Sequence, residues 1–265
     1  MPSAETLVRV GVKMVALPLG AASRRQAGDV VILCYHRVAD SPREIDVPPA
    51  RFADQLDAVS SGGRVRSLDD ALSGSEGGVV LTFDDGFRDF HDVVLPALVE
   101  RGMPALLYLA TGFVDVGDPR TGIGPDGALS WTMLEEATST GLVTVASHTH
   151  DHVDLSKAGD AEAEEQMRRS KELIEDRLGR SCTHFAYPWG RASAASDAVA
   201  RRTFRSAALD SWRTNRRDRL DAHRLGRTPV FRSDSDVFIR AKARGQLDAE
   251  GYAYRLLRKG PWAPS

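Results

Sequence analysis

The chain has 265 residues, enough for one large α/β domain or two small ones, with hydrophobic and charged fractions of 42% and 27% that are ordinary for a globular protein. A formal net charge of -2 provides no overall field for nucleic acid or for an acidic substrate. Two cysteines, Cys34 and Cys182, without a CxxC pair, argue against a disulfide-built scaffold.

Residues 1–28 read as a separate N-terminal amphipathic segment and 29–265 as one catalytic domain. In the first, Glu5, Arg9 and Lys13 share one helical face and Val8, Val12, Val15 and Leu19 another. The apolar core is too short for a spanning helix and Pro18 interrupts it as a secretory leader, so a helix packed on the domain or resting on a membrane surface is expected. A cytoplasmic location, or one peripheral to the inner membrane, is expected, with a secreted or periplasmic one as the alternative.

Beyond Gln26 short apolar runs alternate with longer helical stretches. DVVILCY reads as a buried strand that includes Cys34, and PARFADQLDAVSSGG as a helix with a proline start and a glycine stop. VVLTF, PALLYLATGF, LVTVASH, CTHFAYP and FRSAAL continue the strand series. Between them lie SWTMLEEATSTG, with Ser130 as N-cap, and DAEAEEQMRRSKELIEDRLG, with Asp160 as cap and Gly179 as stop. Strands alternating with helices imply βα units, a mainly parallel sheet and a closed or nearly closed barrel of seven or so units. Between Arg201 and Arg232 ten arginines face three aspartates, which reads either as a solvated surface or as a rim for anionic glycan or lipid headgroups.

Sites in such barrels lie at the C-terminal ends of the strands, which brings TFDDG, SHTHDH and AYPWG together. Adjacent carboxylates at the end of a buried strand, Asp84 and Asp85, require a cation or a proton. The loop with His148, His150 and His152 supplies the other half of a site in which two imidazoles and one carboxylate hold a divalent metal. One aspartate then binds the ion, while the other is free to act as base on a water that the ion polarises.

In this order and strand context, TFDDG, HTHDH and AYPWG resemble the first three motifs of the polysaccharide deacetylases, the carbohydrate esterases with the NodB homology domain. The resemblance implies a distorted (β/α)7-type barrel and metal-dependent removal of acetyl from N-acetylated glycans. It implies Asp84 as base, Asp85, His148 and His152 as metal ligands, and the backbone N–H of Trp189 as an oxyanion donor, with His150 at a variable position. The metal is expected to be zinc, with cobalt, nickel or iron as alternatives, and the partner an N-acetylated glycan, with membrane contact through the N-terminal helix or the arginine-rich region.

Two departures stand out. Many members carry an arginine that orients the base where this chain has Ala186, and the late histidine that supplies their acid is missing. LCYHRV resembles the early segment of the exopolysaccharide deacetylase branch, and this implies His36 as the acid. Tyr187 and Trp131 read as sugar-stacking or packing residues, Asp210 as a group that orients acid or base, and Arg224 and Arg227 as residues bordering the cleft. Rival readings are deformylation at the same site, a non-catalytic glycan-binding module, and a non-haem iron oxygenase, the last disfavoured because the two histidines lie together.

Overall fold

In the computed structural model, which describes residues 4–21, 26–118 and 120–256, seven parallel strands close into a barrel in simple chain order. They are β1 (Val30–Tyr35), β2 (Gly78–Asp85), β3 (Ala105–Leu109), β4 (Val143–Ser147), β5 (His184–Ala186), β6 (Ser206–Leu209) and β7 (Leu225–Pro229). Pairing of Ile32 with Arg227 and of Cys34 with Pro229 brings β7 back to β1 and completes the closure.

Successive side chains in each strand point to opposite sides, and both sides are apolar because helices cover the outside. Val31, Leu33, Val79, Leu81, Phe83, Leu107 and Phe185 belong to the outer core beneath the helices. Val30, Ile32, Val80, Leu106, Tyr108, Ala146, Ala186, Ala208 and Leu225 form a second cluster that fills the barrel. This double burial explains why the strands read as continuous apolar runs.

Five strands fall inside the runs read from the sequence, and a sixth, β2, extends VVLTF by Gly78 at its start and by Asp84 and Asp85 at its end. The seventh, LGRTP, lies outside them, because glycine, arginine and proline make it a poor strand by composition. Among the described residues nine α-helices accompany the strands: α1 (Ala4–Ala21), α2 (Pro49–Gly62), α3 (Leu68–Ser73), α4 (Leu95–Arg101), α5 (Trp131–Ser139), α6 (Asp160–Leu178), α7 (Ala194–Thr203), α8 (Asp236–Ala243) and α9 (Asp248–Leu256). Those that also go beyond that reading include α8 and α9. Helix α5 (Trp131–Ser139) begins as expected, with Ser130 Oγ accepting from Met133 N at 3.2 Å. Helix α6 (Asp160–Leu178) is capped instead by Gly159, and Asp160 lies in its first turn, where a carboxylate suits the positive end of the helix dipole.

Helix α1 (Ala4–Ala21) packs against α9 and α8 with its faces reversed from the usual arrangement. Arg9 and Lys13 are buried, while Val8, Met14 and Val15 are exposed by 54, 62 and 66%. Val12 is half-buried, and the side chains of Glu5 and Leu19 lie outside the described residues. Burial of Lys13 is compensated by ion pairs to Asp234 and, at 3.8 Å, to Glu250, and Lys242 reaches the same two carboxylates at 2.7 and 3.6 Å. The guanidinium of Arg9 lies 3.7 Å over the ring of Phe231.

Candidate active site

The C-terminal ends of β2 and β4 deliver the acidic and imidazole halves of one site. Asp85 Oδ1 lies 3.1 Å from His152 Nε2 and 3.7 Å from His148 Nε2, and the three donor atoms fall within 4.8 Å of one another. Ligands bound at zinc distances stand roughly 3.3 Å apart, so this spacing needs little adjustment to enclose an ion. Two further features fit a divalent metal. Asp85 Oδ1 is buried without a hydrogen-bond partner among the described residues. His148 Nδ1 donates to Ala186 O at 2.8 Å, which leaves the lone pair of Nε2 facing Asp85. Burial pushes His148 down to about 4, so the ring is neutral and ready to ligate.

The backbone around this cluster is held in uncommon conformations. Among the described residues six non-glycine positions have left-handed φ, and four of them, Asp85, Thr149, His152 and Trp189, surround the site. Trp189 (φ 53°) sits between Pro188 and Gly190, with its ring edge-on to His152 at 4.5 Å. Gly190 is required there, since a Cβ at that position would lie 2.4 Å from the backbone nitrogen of Asp210.

Asp84 points into the barrel and is 2% exposed. Burial alone would raise its pKa, but Arg227, with His148 and His36, holds the carboxyl below its usual range. Arg227 Nη1 donates to Asp84 Oδ1 at 2.6 Å, and its Nη2 donates to Asp210 Oδ1 at 2.9 Å. The guanidinium, fully buried, lies 5.2 Å over the ring of Tyr108. It reaches Asp84 across an interior in which Ala146, Ala186 and Ala208 leave room. Where Ala186 stands in the third motif, an arginine from β7 contacts Asp84 instead. The sequence reading put Arg227 at the cleft border; its signal would have been an arginine inside an otherwise apolar strand, and LGRTP hid the strand.

The remaining Asp84 oxygen, Oδ2, faces His148 Nε2 at 3.9 Å, His36 Nε2 at 4.0 Å and Cys34 Sγ at 3.5 Å. His36, one quarter exposed, follows β1 and shares with Asp84, Asp85, His148, His152 and Trp189 the wall of an open cleft of about 780 Å³. Arg9 from α1, Trp212 and Phe231 form another wall, which the sequence reading missed because their elements are remote in sequence. Arg120 approaches His152 Nδ1 from the rim and is held by Asp118 Oδ2 at 2.7 Å.

Other candidates stand apart. His150 turns away, its Nδ1 bonded to Thr111 Oγ1 at 2.8 Å. Tyr187 is fully buried against Phe185, and Trp131 packs on the outer core beneath Arg177, so both are packing residues. The arginine-rich stretch is largely tied to the protein itself. Arg216 pairs with Asp29 at 2.8 Å, Arg217 donates to the carbonyls of Gly28, Ala71, Leu72 and Gly74, and Arg201 pairs with Asp221 at 2.7 Å.

A parallel seven-stranded barrel with a carboxylate–imidazole triad at its strand ends defines a class of hydrolase folds, and comparison with known proteins identifies the family. The family described as polysaccharide deacetylase matches residues 72–205, just over half of the chain, and the chain belongs to it. The Bacillus subtilis protein YxkH, whose name assigns it to the polysaccharide deacetylases, is 27% identical over 168 residues, covering 60% of this chain. The chain spans 56% of the length of that relative. Among solved structures, IcaB from Ammonifex degensii is 27% identical with a TM-score of 0.71, over 84% of this chain and 98% of that one. The Streptococcus pyogenes deacetylase PplD, 24% identical, shares the fold with a TM-score of 0.72 over 82% and 99% of the two chains. The matched family segment contains TFDDG, SHTHDH and AYPWG, whereas His36, Asp210 and Arg227 lie outside it.

Proposed function

We propose that the protein is a metal-dependent hydrolase that removes N-acetyl groups from amino sugars of a polysaccharide or lipid-linked glycan. The observation that carries this reading is the placement of Asp84 between the Asp85–His148–His152 triad and His36 at 4.0 Å. Asp85, His148 and His152 would hold a divalent ion, zinc by the donor set, which would supply Lewis acidity toward water and an amide carbonyl.

The chain's own groups then divide the proton traffic. Asp84, kept ionised by Arg227, accepts the proton of the attacking water through Oδ2. His36, on the other side of Asp84, returns a proton to the departing amine, which is a poor leaving group without it. The backbone N–H of Trp189 is assigned to the developing oxyanion, beside His152. Hydrogen bonding and packing of Asp210, Arg227 and Tyr108 keep the base in place and exclude water behind it.

The same site accommodates a formyl amide, which the product distinguishes. Acetate released from N-acetylated glucosamine oligomers, with no formate from N-formylated ones, supports the deacetylase reading; formate as the faster product would replace it. Intact Asp84, Asp85, His148 and His152 disfavour a purely binding role.

A further inference from the structure

The end of β1 and the residue after it carry two side chains of the kind that ligate metals, Cys34 and His36, and the proposed reaction uses only the second. Cys34 and His36 are two residues apart and therefore share the inner side of the chain as it leaves the barrel. Cys34 Sγ lies 3.5 Å and His36 Nε2 lies 4.0 Å from the same oxygen, Asp84 Oδ2, and the three donor atoms fall within 4.8 Å of one another. Arg227 occupies only the other oxygen, Oδ1. The thiol is fully buried, while His36 and Asp84 line the cleft and give access from it.

We propose that Cys34, His36 and Asp84 form a second metal site, for a thiophilic divalent cation such as Zn²⁺, and that its occupancy inhibits the enzyme. A thiolate at a zinc distance of about 2.3 Å and nitrogen or oxygen at about 2.0–2.2 Å place neighbouring ligands roughly 3.3–3.8 Å apart. The 3.5 Å between Cys34 and Asp84 lies in that range, and the 4.0 Å between His36 and Asp84 requires His36 to move inward. Binding breaks the S–H bond of Cys34, whose proton passes to solvent, and forms the S–metal bond. Thiolate and carboxylate then neutralise the ion's two charges, which lets it sit beside an ion in the Asp85 site. The sulfur ligand selects zinc, cadmium or cobalt over magnesium and calcium.

Inhibition follows from the identity of the ligands. The Asp84 lone pair that would accept a proton is committed to the second ion, and the His36 nitrogen that would carry the acid proton holds the metal in its place. This consequence rests on the deacetylase reading, whereas the site itself does not.

The test uses the full chain stripped of metal and titrated with Co²⁺. Two equivalents are expected, and the thiolate-to-cobalt charge-transfer band in the near ultraviolet should rise only with the second. Cys34→Ser, nearly isosteric, and His36→Ala, at a partly exposed position, should each take up the first equivalent alone. Excess Zn²⁺ should lower wild-type turnover at least tenfold relative to one equivalent, and leave Cys34→Ser at its own one-equivalent rate. A single equivalent in the wild type, a thiolate band that rises with the first equivalent, or a second equivalent retained in Cys34→Ser would overturn the site. Two equivalents with the predicted band but no inhibition would leave the site standing and overturn the inhibition, and with it the roles given to Asp84 and His36.

Discussion

Arg227 Nη1 lies 2.6 Å from Asp84 Oδ1 inside the barrel, with the arginine wholly buried and the aspartate 2% exposed. The pair joins β7 to β2 across the interior and holds the proposed base ionised. Arg227→Met leaves a buried carboxylate without its partner and is expected to destabilise the protein by about 3–5 kcal/mol. The measurement is denaturant unfolding of Arg227→Met, Asp84→Asn and the double variant. The double variant should be more stable than the sum of single losses predicts, and strict additivity would show that the contact carries no coupling.

If Asp85, His148 and His152 hold the metal as proposed, removing either imidazole leaves two protein ligands. His148→Ala and His152→Ala are expected to lose the tightly held first equivalent of metal, measured by elemental analysis after gel filtration, whereas His150→Ala retains it. Retention in both of the first two variants would remove the triad from consideration.

Asp84→Asn and Asp85→Asn should separate cleanly. The first keeps the first equivalent of metal and loses turnover by ~10²–10⁴, the worth of a positioned proton acceptor. The second loses metal affinity first. Exchanged phenotypes would exchange the two roles.

Acid sensitivity should come in part from a site far from the chemistry. Burial would raise the pKa of Asp29, but the backbone N–H groups of Gln26 and Arg217 and the guanidinium of Arg216 hold it below its ordinary value. Its stabilising contribution is therefore complete above the unfolded carboxylate pKa of roughly 3.9 and is lost as pH falls through the lower folded value. Asp29→Asn should unfold with a flatter pH dependence in that acid window; an unchanged slope would mean that other carboxylates dominate it.

The outward face of α1 bears on the proposed membrane contact. Val8→Asp with Val15→Asp should reduce co-sedimentation of the full chain with anionic phospholipid vesicles, because both side chains are more than half exposed. Failure of the wild-type chain to sediment with vesicles would contradict a role for this face at a bilayer.

What the sequence made legible follows from where the signals are local. Asp84 and Asp85 announce themselves because adjacent carboxylates are costly at a strand end, and His148 and His152 because they crowd one short loop. His36 is visible only because a segment resemblance marks it. Arg227 was hidden since its strand lacks the composition of a strand, and its partner lies 143 positions away. The reversed faces of α1 were hidden for a related reason: the acidic groups that make burial of Lys13 tolerable, Asp234 and Glu250, come from the far end of the chain.

The proposed deacetylase activity depends on metal held by the Asp85–His148–His152 triad. Its most direct test is acetate release from an N-acetylglucosamine oligomer by chelator-stripped protein reloaded with substoichiometric to equimolar Zn²⁺. No release is expected without metal, and the rate should rise in proportion to bound metal up to one equivalent. Full acetate release by the stripped protein, or none at any loading with Zn²⁺, Co²⁺, Ni²⁺ or Fe²⁺, would contradict that proposal.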